Sequence, residues 1–125
     1  MQINDVSGQI VDAAMRVHSA LGPGLLESAY LACLVHELRK RGLSVRTQVQ
    51  LPIKYDGIIV SPGYRLDLLV ENAVIVETKA ISRVHPIHRA QLLSHLKLSE
   101  HKVGLLINFH ELHLRDGITR LVNRL

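Results

Sequence analysis

Three charged side chains of types that bind metal ions and water lie close together near the middle of the chain. Asp67 and Glu77 are separated by nine residues, and Lys79 follows Glu77 by two positions. Two carboxylates opposite each other on paired strands stand ~5 Å apart at Cβ and repel each other. A divalent cation relieves that repulsion, and oxygen ligands suit Mg²⁺ or Mn²⁺. The spacing is therefore compatible with a metal site beside which Lys79 could hold a water molecule or offset charge on a phosphate.

The same charges also have a purely structural explanation. Cross-strand ion pairs of Arg65 with Glu77 and of Asp67 with Lys79 would account for them without any chemistry. Charged hairpin ends are common, and the spacing taken alone favours this second interpretation. The choice between the two depends on the elements that position these residues.

A hairpin is predicted to carry the charged residues, with strands over residues 64–70 and 73–79. Side chains alternate between the two faces of a strand, so Asp67 and Glu77 share one face only in some registers. In those registers the sequence numbers of two directly opposite residues add to an even number, as 67 and 77 do. An even sum requires an odd number of loop residues or a bulge. We therefore expect a three-residue loop, with Asn72 able to adopt a left-handed conformation.

This register sorts the side chains of the hairpin into two faces. The apolar face should pack on a core, and the charges should lie on the other face at the open end of the hairpin. The predicted apolar face consists of Tyr64, Leu66, Leu68, Val70, Val74, Val76, Thr78 and Ala80.

The periodicity of apolar residues predicts three helices. The first covers residues 3–21 and is ended by Gly22-Pro23-Gly24. The second covers residues 25–41, with Gly42 as its C-terminal cap. The third begins at Pro86, a residue favoured in the first turn, and runs to about Ser99.

Further strands are predicted on either side of the hairpin. Residues 43–54 alternate between apolar and polar, and Pro52 places this strand at a sheet edge or makes it end there. Asp56-Gly57 predicts a hairpin turn, and Ser61-Pro62-Gly63 predicts a loop. Residues 103–109 are nearly all apolar, which is typical of a central strand buried on both faces.

The last residues are expected to form a short hairpin, or a strand with a terminal helical turn. Together the elements predict an α/β (α+β) fold, in which helices flank a mixed central β-sheet, as one domain over residues 1–125.

The composition limits the possible functions. The 125 residues are 47% hydrophobic and carry a net charge of +4, which is compatible with a polyanionic partner. Cys33 is the only cysteine, so an intrachain disulfide and a zinc site of several cysteines are excluded. No segment has the basic and apolar pattern of a signal peptide or the ~18 apolar residues of a membrane span. We therefore expect a soluble, cytoplasmic protein.

The eight histidines do not form a familiar zinc pattern. His85 and His88 are three residues apart, as are His110 and His113, but no cysteine or carboxylate completes either pair. His85 and His88, together with Arg89, are better interpreted as part of a basic rim.

Several motifs together resemble those of a known nuclease family. Asp67, nine further residues and Glu77-Thr78-Lys79 are similar to the D-x(n)-E-x-K core of PD-(D/E)XK nucleases. Gly24-Leu25-Leu26-Glu27-Ser28-Ala29-Tyr30 resembles the signature of the GxxExxY family within them. Residues 91–98 and 104–109 also resemble that family. The resemblance covers nearly the whole chain, and the combination of motifs at this spacing is specific.

The resemblance implies a restriction-endonuclease-like core and hydrolysis of phosphodiester bonds in nucleic acid. It implies that Asp67 and Glu77 bind Mg²⁺ or Mn²⁺, with the Thr78 carbonyl as a further ligand, and that Lys79 positions or activates water. Glu27 would be an additional acid reaching the site from its helix, and Gln91 would correspond to the helix glutamine of related RecB-like nucleases. Those relatives favour a tyrosine four residues after the glutamine, where this chain has His95.

Two other functions remain compatible with the sequence. The fold could serve as a nucleic-acid-binding module without catalysis, which fits the basic charge balance. It could also serve as a homodimeric interaction module, because an edge strand near Pro52 offers unpaired backbone groups to a second copy.

Overall fold

The structure is a computed structural model that describes residues 1–124, so Leu125 of the predicted domain lies outside the described residues. Two helices begin the chain. Helix α1 (Ile3–Leu21) has the bounds that the apolar periodicity predicts, and Gly22 ends it with a φ of 73°. Helix α2 (Glu27–Lys40) begins two residues later and ends one residue earlier than predicted. Gly42 follows it with a φ of 84° and donates its N–H to the Arg39 carbonyl, so the glycine acts as the predicted cap.

Five strands form one mixed sheet in the order β1-β2-β3-β4-β5. Strands β1, β2 and β3 pair antiparallel, β3 and β4 pair parallel, and β5 is antiparallel to β4. Helix α3 (Pro86–Ser99), which has the predicted bounds, connects the parallel strands. The strands are β1 (Val45–Tyr55), β2 (Ile58–Val70), β3 (Val74–Lys79), β4 (Val103–Asn108) and β5 (Ile118–Val122).

The predicted fold class, a mixed sheet flanked by helices, is confirmed. The C-terminal segment also contains the predicted strand and helical turn, but in the opposite order, because a 3₁₀ turn (Leu114–Gly117) precedes β5. Among residues 1–124, none of the helices is long and apolar enough to cross a lipid bilayer.

Apolar side chains pack on both faces of the sheet. Helices α1 and α2 cover one face through a cluster that includes Ile10, Tyr30 and Leu34, whereas α3 covers the other through Leu92 and Leu96. Every residue of β4 is buried, as the nearly continuous apolar run predicts for a central strand. The sheet is therefore held between two helical layers.

Strand β2 passes through the segment that was expected to be a loop. Leu51 pairs with Tyr64 and Ile53 pairs with Val60, so Pro52 alone faces the three residues Ser61-Pro62-Gly63 in a bulge. The glycine is needed there, because a Cβ on Gly63 would lie 2.6 Å from the Ile53 backbone nitrogen. The prediction of a loop was wrong, because the bulge allows β1 and β2 to continue pairing beyond it.

The turn between β2 and β3 has the odd number of loop residues that the sequence predicts. The pairs are Leu68–Val76, Leu69–Ile75 and Val70–Val74, which leaves a three-residue loop. Within it Glu71 and Asn72 have φ of 53° and 50°, so the predicted left-handed conformation is present. The predicted three-residue loop and the even-sum register are therefore confirmed for these three pairs, which end one residue short of Asp67 and Glu77.

The predicted apolar face is wrong at Tyr64 and Leu66. Leu68 packs with α1 and α2 as expected. Leu66 and Tyr64 instead belong to the cluster under α3. Regular pairing with β3 stops at Leu68, and Gln48, which lies across from Asp67 on β1, has a φ of 50°. The backbone therefore departs from regular strand geometry at Asp67, which moves the preceding side chains to the other face.

Candidate active site

A cleft of about 600 Å³ opens at the end of the hairpin, where β2 separates from β3. It brings together four of the residues singled out in the sequence, namely Asp67, Glu77, Lys79 and Gln91. The remaining lining residues are Gln50, Pro62, Gly63, Tyr64, Arg65 and His95. Residues from three strands, β1, β2 and β3, and from α3 therefore meet at one solvent-accessible place.

The Asp67 carboxylate lies between the two separating strands. Its Oδ2 accepts a hydrogen bond of 3.0 Å from the Thr78 backbone N–H and a longer one of 3.5 Å from the Thr78 hydroxyl. The carboxylate thus replaces a hydrogen bond that the strand ladder no longer supplies. This interaction fixes the side chain beside Glu77 and turns it toward the cleft.

Glu77 is nearly buried, with 8% of its surface exposed, and its Oε1 lies 3.2 Å from Nδ1 of His95. Burial raises the pKa of Glu77 to about 7, and the negative charge of Asp67 adds to this effect, while the hydrogen bond from His95 opposes it. Two carboxyl groups therefore share a small volume in which a cation would stabilise their ionised forms.

His95 is a site residue whose contact with Glu77 the sequence analysis missed. It is buried on α3, and the ring of Tyr64 stacks on it with centroids 5.0 Å apart. The sequence did indicate that His95 lies near the site, because His95 follows Gln91 by four positions and so lies on the same face of α3. The sequence did not show that this face would meet β3 at Glu77.

The cross-strand ion pairs that would explain the charges structurally are absent from residues 1–124. Neither Arg65 with Glu77 nor Asp67 with Lys79 forms a salt bridge there, and the partner of Glu77 is His95. The structural interpretation therefore lacks the contacts on which it depends.

Lys79 is the last residue of β3, and the chain beyond it is held by Asn108. The Asn108 side chain accepts a hydrogen bond of 3.1 Å from the Ile81 N–H and donates one of 2.8 Å to the Ile81 carbonyl. The Phe109 N–H donates to the Lys79 carbonyl at 2.9 Å. These contacts fix the backbone at the point where the lysine side chain leaves the sheet.

Replacing Asn108 with leucine is expected to lower the free energy of unfolding by about 2 to 4 kcal/mol, because both backbone groups of Ile81 would lose their partner. Urea unfolding measures this loss. Asn4→Leu is the matched control, since Asn4 is exposed and its amide oxygen accepts a hydrogen bond from Arg120, which is also exposed. Equal stabilities of the two variants would contradict this role of Asn108.

Glu27 approaches the site from the opposite side of the sheet. It is the first residue of α2 and does not line the cleft, but its Oε1 accepts a hydrogen bond of 3.4 Å from the Thr78 hydroxyl. Burial raises the pKa of Glu27, the charge of Asp67 raises it further, and the positive charge of Lys79 lowers it. The predicted additional acid is therefore within electrostatic reach of Asp67 and Lys79.

Two cationic side chains line the cleft together with the carboxylates. Arg65 lines the cleft beside Lys79. Desolvation lowers the pKa of His88, and the positive charges of Lys79 and His85 lower it further, which favours the neutral form of His88. The positive charge at the cleft therefore comes from Arg65 and Lys79, and the basic rim of His85, His88 and Arg89 stays a prediction.

The donor set of the cleft fits a hard divalent cation. Within residues 1–124, no group of three or more His, Cys, Asp or Glu side chains is arranged to hold a metal ion. Asp67 and Glu77 supply two carboxylates, and Mg²⁺ commonly takes its remaining ligands from water and substrate phosphate.

A mixed sheet between helices, with paired carboxylates and a lysine at the separated ends of two strands, defines a restriction-endonuclease-like core. The sequence matches the family described as the PD-(D/E)XK nuclease superfamily over residues 4–121, so the chain belongs to that superfamily. Comparison with curated proteins and with solved structures found no match.

Proposed function

We propose that this protein hydrolyses phosphodiester bonds of nucleic acid with a divalent cation, Mg²⁺ or Mn²⁺, held by Asp67 and Glu77. The main support is the pairing of these carboxylates in an open cleft without a lysine or arginine salt bridge among residues 1–124. A cation bound there would polarise the scissile phosphate and lower the pKa of a water molecule. Membership of the nuclease superfamily makes nucleic acid the expected substrate.

The other residues of the site have distinct proposed roles. The Lys79 ammonium orients the attacking water and offsets negative charge on the phosphate. The Thr78 carbonyl is a further metal ligand, and Glu27 acts as an additional acid beside Thr78. The Gln91 amide, which lines the cleft, is suited to hydrogen bonding with the substrate.

A non-catalytic nucleic-acid-binding module is the second candidate, and the cationic rim favours it. Arg65 and Lys79 would attract phosphates whether or not a bond is cleaved. Salt-dependent binding without metal-dependent turnover would support this candidate.

We also propose a cytoplasmic location, in line with the expectation from the sequence.

The proposal is tested by incubating the protein with single-stranded and double-stranded DNA and RNA, in Mg²⁺, in Mn²⁺ and in a chelator. Cleavage that requires the cation and stops in the chelator is the expected result. Binding of the same substrates without cleavage in either cation would contradict the proposal and favour the binding module.

Lys79→Met is expected to reduce cleavage about 10²-fold while leaving Mn²⁺ affinity within a few-fold of the wild type. Methionine keeps the apolar stem of the side chain but removes the charge that acts on water and phosphate. Single-turnover cleavage and calorimetry measure the two properties, and Lys97→Met on the exposed side of α3 is the control. Loss of metal binding in Lys79→Met would argue against this separation of roles.

Metal affinity is expected to fall as the pH decreases below 7. The pKa of Glu77 is raised to about 7, so at lower pH the cation must displace a proton from this carboxyl group. Affinity should therefore drop about tenfold per pH unit below that value and level off above it. Titrations with Mn²⁺ between about pH 5.5 and 8.5 measure the profile, and a constant affinity across this range would contradict the proposed ligand.

A further inference from the structure

Helix α3, all of which the structure describes, buries one polar side chain between apolar ones. Its buried residues are Leu92, His95 and Leu96, and the two leucines belong to the cluster that covers this face of the sheet. An imidazole is unfavourable to bury among apolar side chains unless its nitrogens find hydrogen-bond partners. A histidine at this position therefore suggests that the ring does something that a third leucine could not do.

Contacts on two sides fix where the His95 ring lies. The ring of Tyr64 stacks on it, with centroids 5.0 Å apart and an angle of 30° between the planes. On the helix itself, the Ser99 hydroxyl donates a hydrogen bond of 2.7 Å to the His95 carbonyl. Because only 7% of the residue is exposed, the ring has little room to rotate. The imidazole is therefore held at one position against β3, at the wall of the cleft.

Each carboxylate of the site has a hydrogen-bond donor of its own. Asp67 accepts from the Thr78 N–H at 3.0 Å, and Oε1 of Glu77 lies 3.2 Å from Nδ1 of His95. No lysine or arginine among residues 1–124 forms a salt bridge with Glu77. A carboxylate that binds a cation carries no proton and can only accept a hydrogen bond, so in that state Nδ1 of His95 must donate.

We propose that His95 is a positioning residue of the cation site, whose Nδ1–H holds one oxygen of Glu77 and leaves the other oxygen free to face the cation beside Asp67. A flexible carboxylate that is not held in this way would lose conformational freedom on binding the cation. Partners that orient a metal ligand commonly improve affinity about 10- to 100-fold. The inference rests on the proposed cation site and adds to it a residue that acts through Glu77.

Two amide substitutions test which ring nitrogen matters. The side-chain N–H of asparagine can take the place of Nδ1, whereas that of glutamine takes the place of Nε2. His95→Asn should therefore keep Mn²⁺ affinity within a few-fold of the wild type, and His95→Gln should lose at least about tenfold. A role in stability alone predicts the opposite order, because glutamine favours a helix more than asparagine does. The control His36→Gln, at an exposed position of α2, should bind like the wild type.

Calorimetric titration of Mn²⁺ at about pH 8.5 measures these affinities, because competition from protons is weak there. The titration is made with a phosphorothioate oligonucleotide present, which supplies phosphate oxygens and resists cleavage. If the wild type binds Mn²⁺, equal affinities of His95→Asn and His95→Gln would overturn this inference alone. A wild type that binds no Mn²⁺ would overturn the proposed function, and this inference with it.

The tautomer of His95 gives a second test that needs no metal and does not depend on the stability of a variant. Long-range ¹H–¹⁵N correlation spectra of the metal-free wild type at about pH 8.5 distinguish a protonated Nδ1 from a bare one. The His95 signals are those that the spectrum of either variant lacks. A protonated Nδ1 is the expected result. A proton on Nε2 with a bare Nδ1 would overturn the proposal, since such a ring cannot donate to Glu77.

Discussion

Asp67→Asn is expected to reduce metal-dependent cleavage at least about 10³-fold while leaving the fold intact. Asparagine has nearly the same shape, and its carbonyl oxygen can still accept the hydrogen bond that the Thr78 N–H donates at 3.0 Å. The substitution therefore removes the charge that would bind the cation but keeps the contact that joins the separating strands. Cleavage rates at saturating Mg²⁺, together with urea unfolding, measure the two effects.

The matched control is Asp116→Asn on the exposed 3₁₀ turn, which should cleave like the wild type. Equal cleavage by the wild type and Asp67→Asn would exclude the proposed site. An unfolded Asp67→Asn would show that the contact with Thr78 needs the charge, and Asp67→Glu would then have to restore folding.

Glu77→Gln is expected to abolish metal-dependent cleavage and, at the same time, to increase stability above pH 7. The pKa of Glu77 in the folded protein is about 7, above its ordinary value of 4.5, because burial disfavours the ionised carboxylate. Its stabilising contribution is therefore complete below pH 4.5 and is lost as the pH rises to about 7. Glutamine has no charge to bury, so the variant should be more stable than the wild type by about 3 kcal/mol at about pH 8.

Urea unfolding at about pH 4.5 and about pH 8, in a chelator, measures this difference. The two proteins should differ far more at the higher pH than at the lower. Glu100→Gln, which alters an exposed carboxylate, is the control and should leave the pH dependence unchanged. A Glu77→Gln protein that is less stable than the wild type at the higher pH would contradict the assigned burial cost.

The hairpin register could be predicted from the sequence because it depends on local rules. The side-chain period of two and the parity of the loop determine which residues face each other, and the three pairs from Leu68–Val76 to Val70–Val74 follow that rule. The end of α1 at Gly22 and the start of α3 at Pro86 were predictable for a similar reason, since glycine and proline mark them locally.

Other parts of the fold depend on contacts distant in sequence. The side to which Leu66 points is changed by the departure of β2 from β3 at Asp67, which no alternation pattern records. Ser61-Pro62-Gly63 has the composition of a loop, yet pairing on both sides of it makes it a bulge.

The residues of the candidate site also divide into those that local sequence predicts and those that contacts distant in sequence position. Asp67, Glu77 and Lys79 could be singled out because their types and spacing lie within one hairpin. The contact between His95 and Glu77 joins α3 to β3 across 18 positions, and it depends on how the helix packs on the sheet. Sequence reasoning could place His95 near Gln91, but not against a buried carboxylate.

The central claim is that Asp67 and Glu77 together bind a divalent cation. Calorimetric titration of Mn²⁺ into the wild type, Asp67→Asn and Glu77→Gln tests it most directly, with and without a phosphorothioate oligonucleotide that supplies phosphate oxygens but resists cleavage. One site in the wild type, weakened at least about 100-fold in both variants, is the predicted result. Wild-type protein that binds no Mn²⁺ under either condition, or variants that bind it as tightly as the wild type, would contradict the claim.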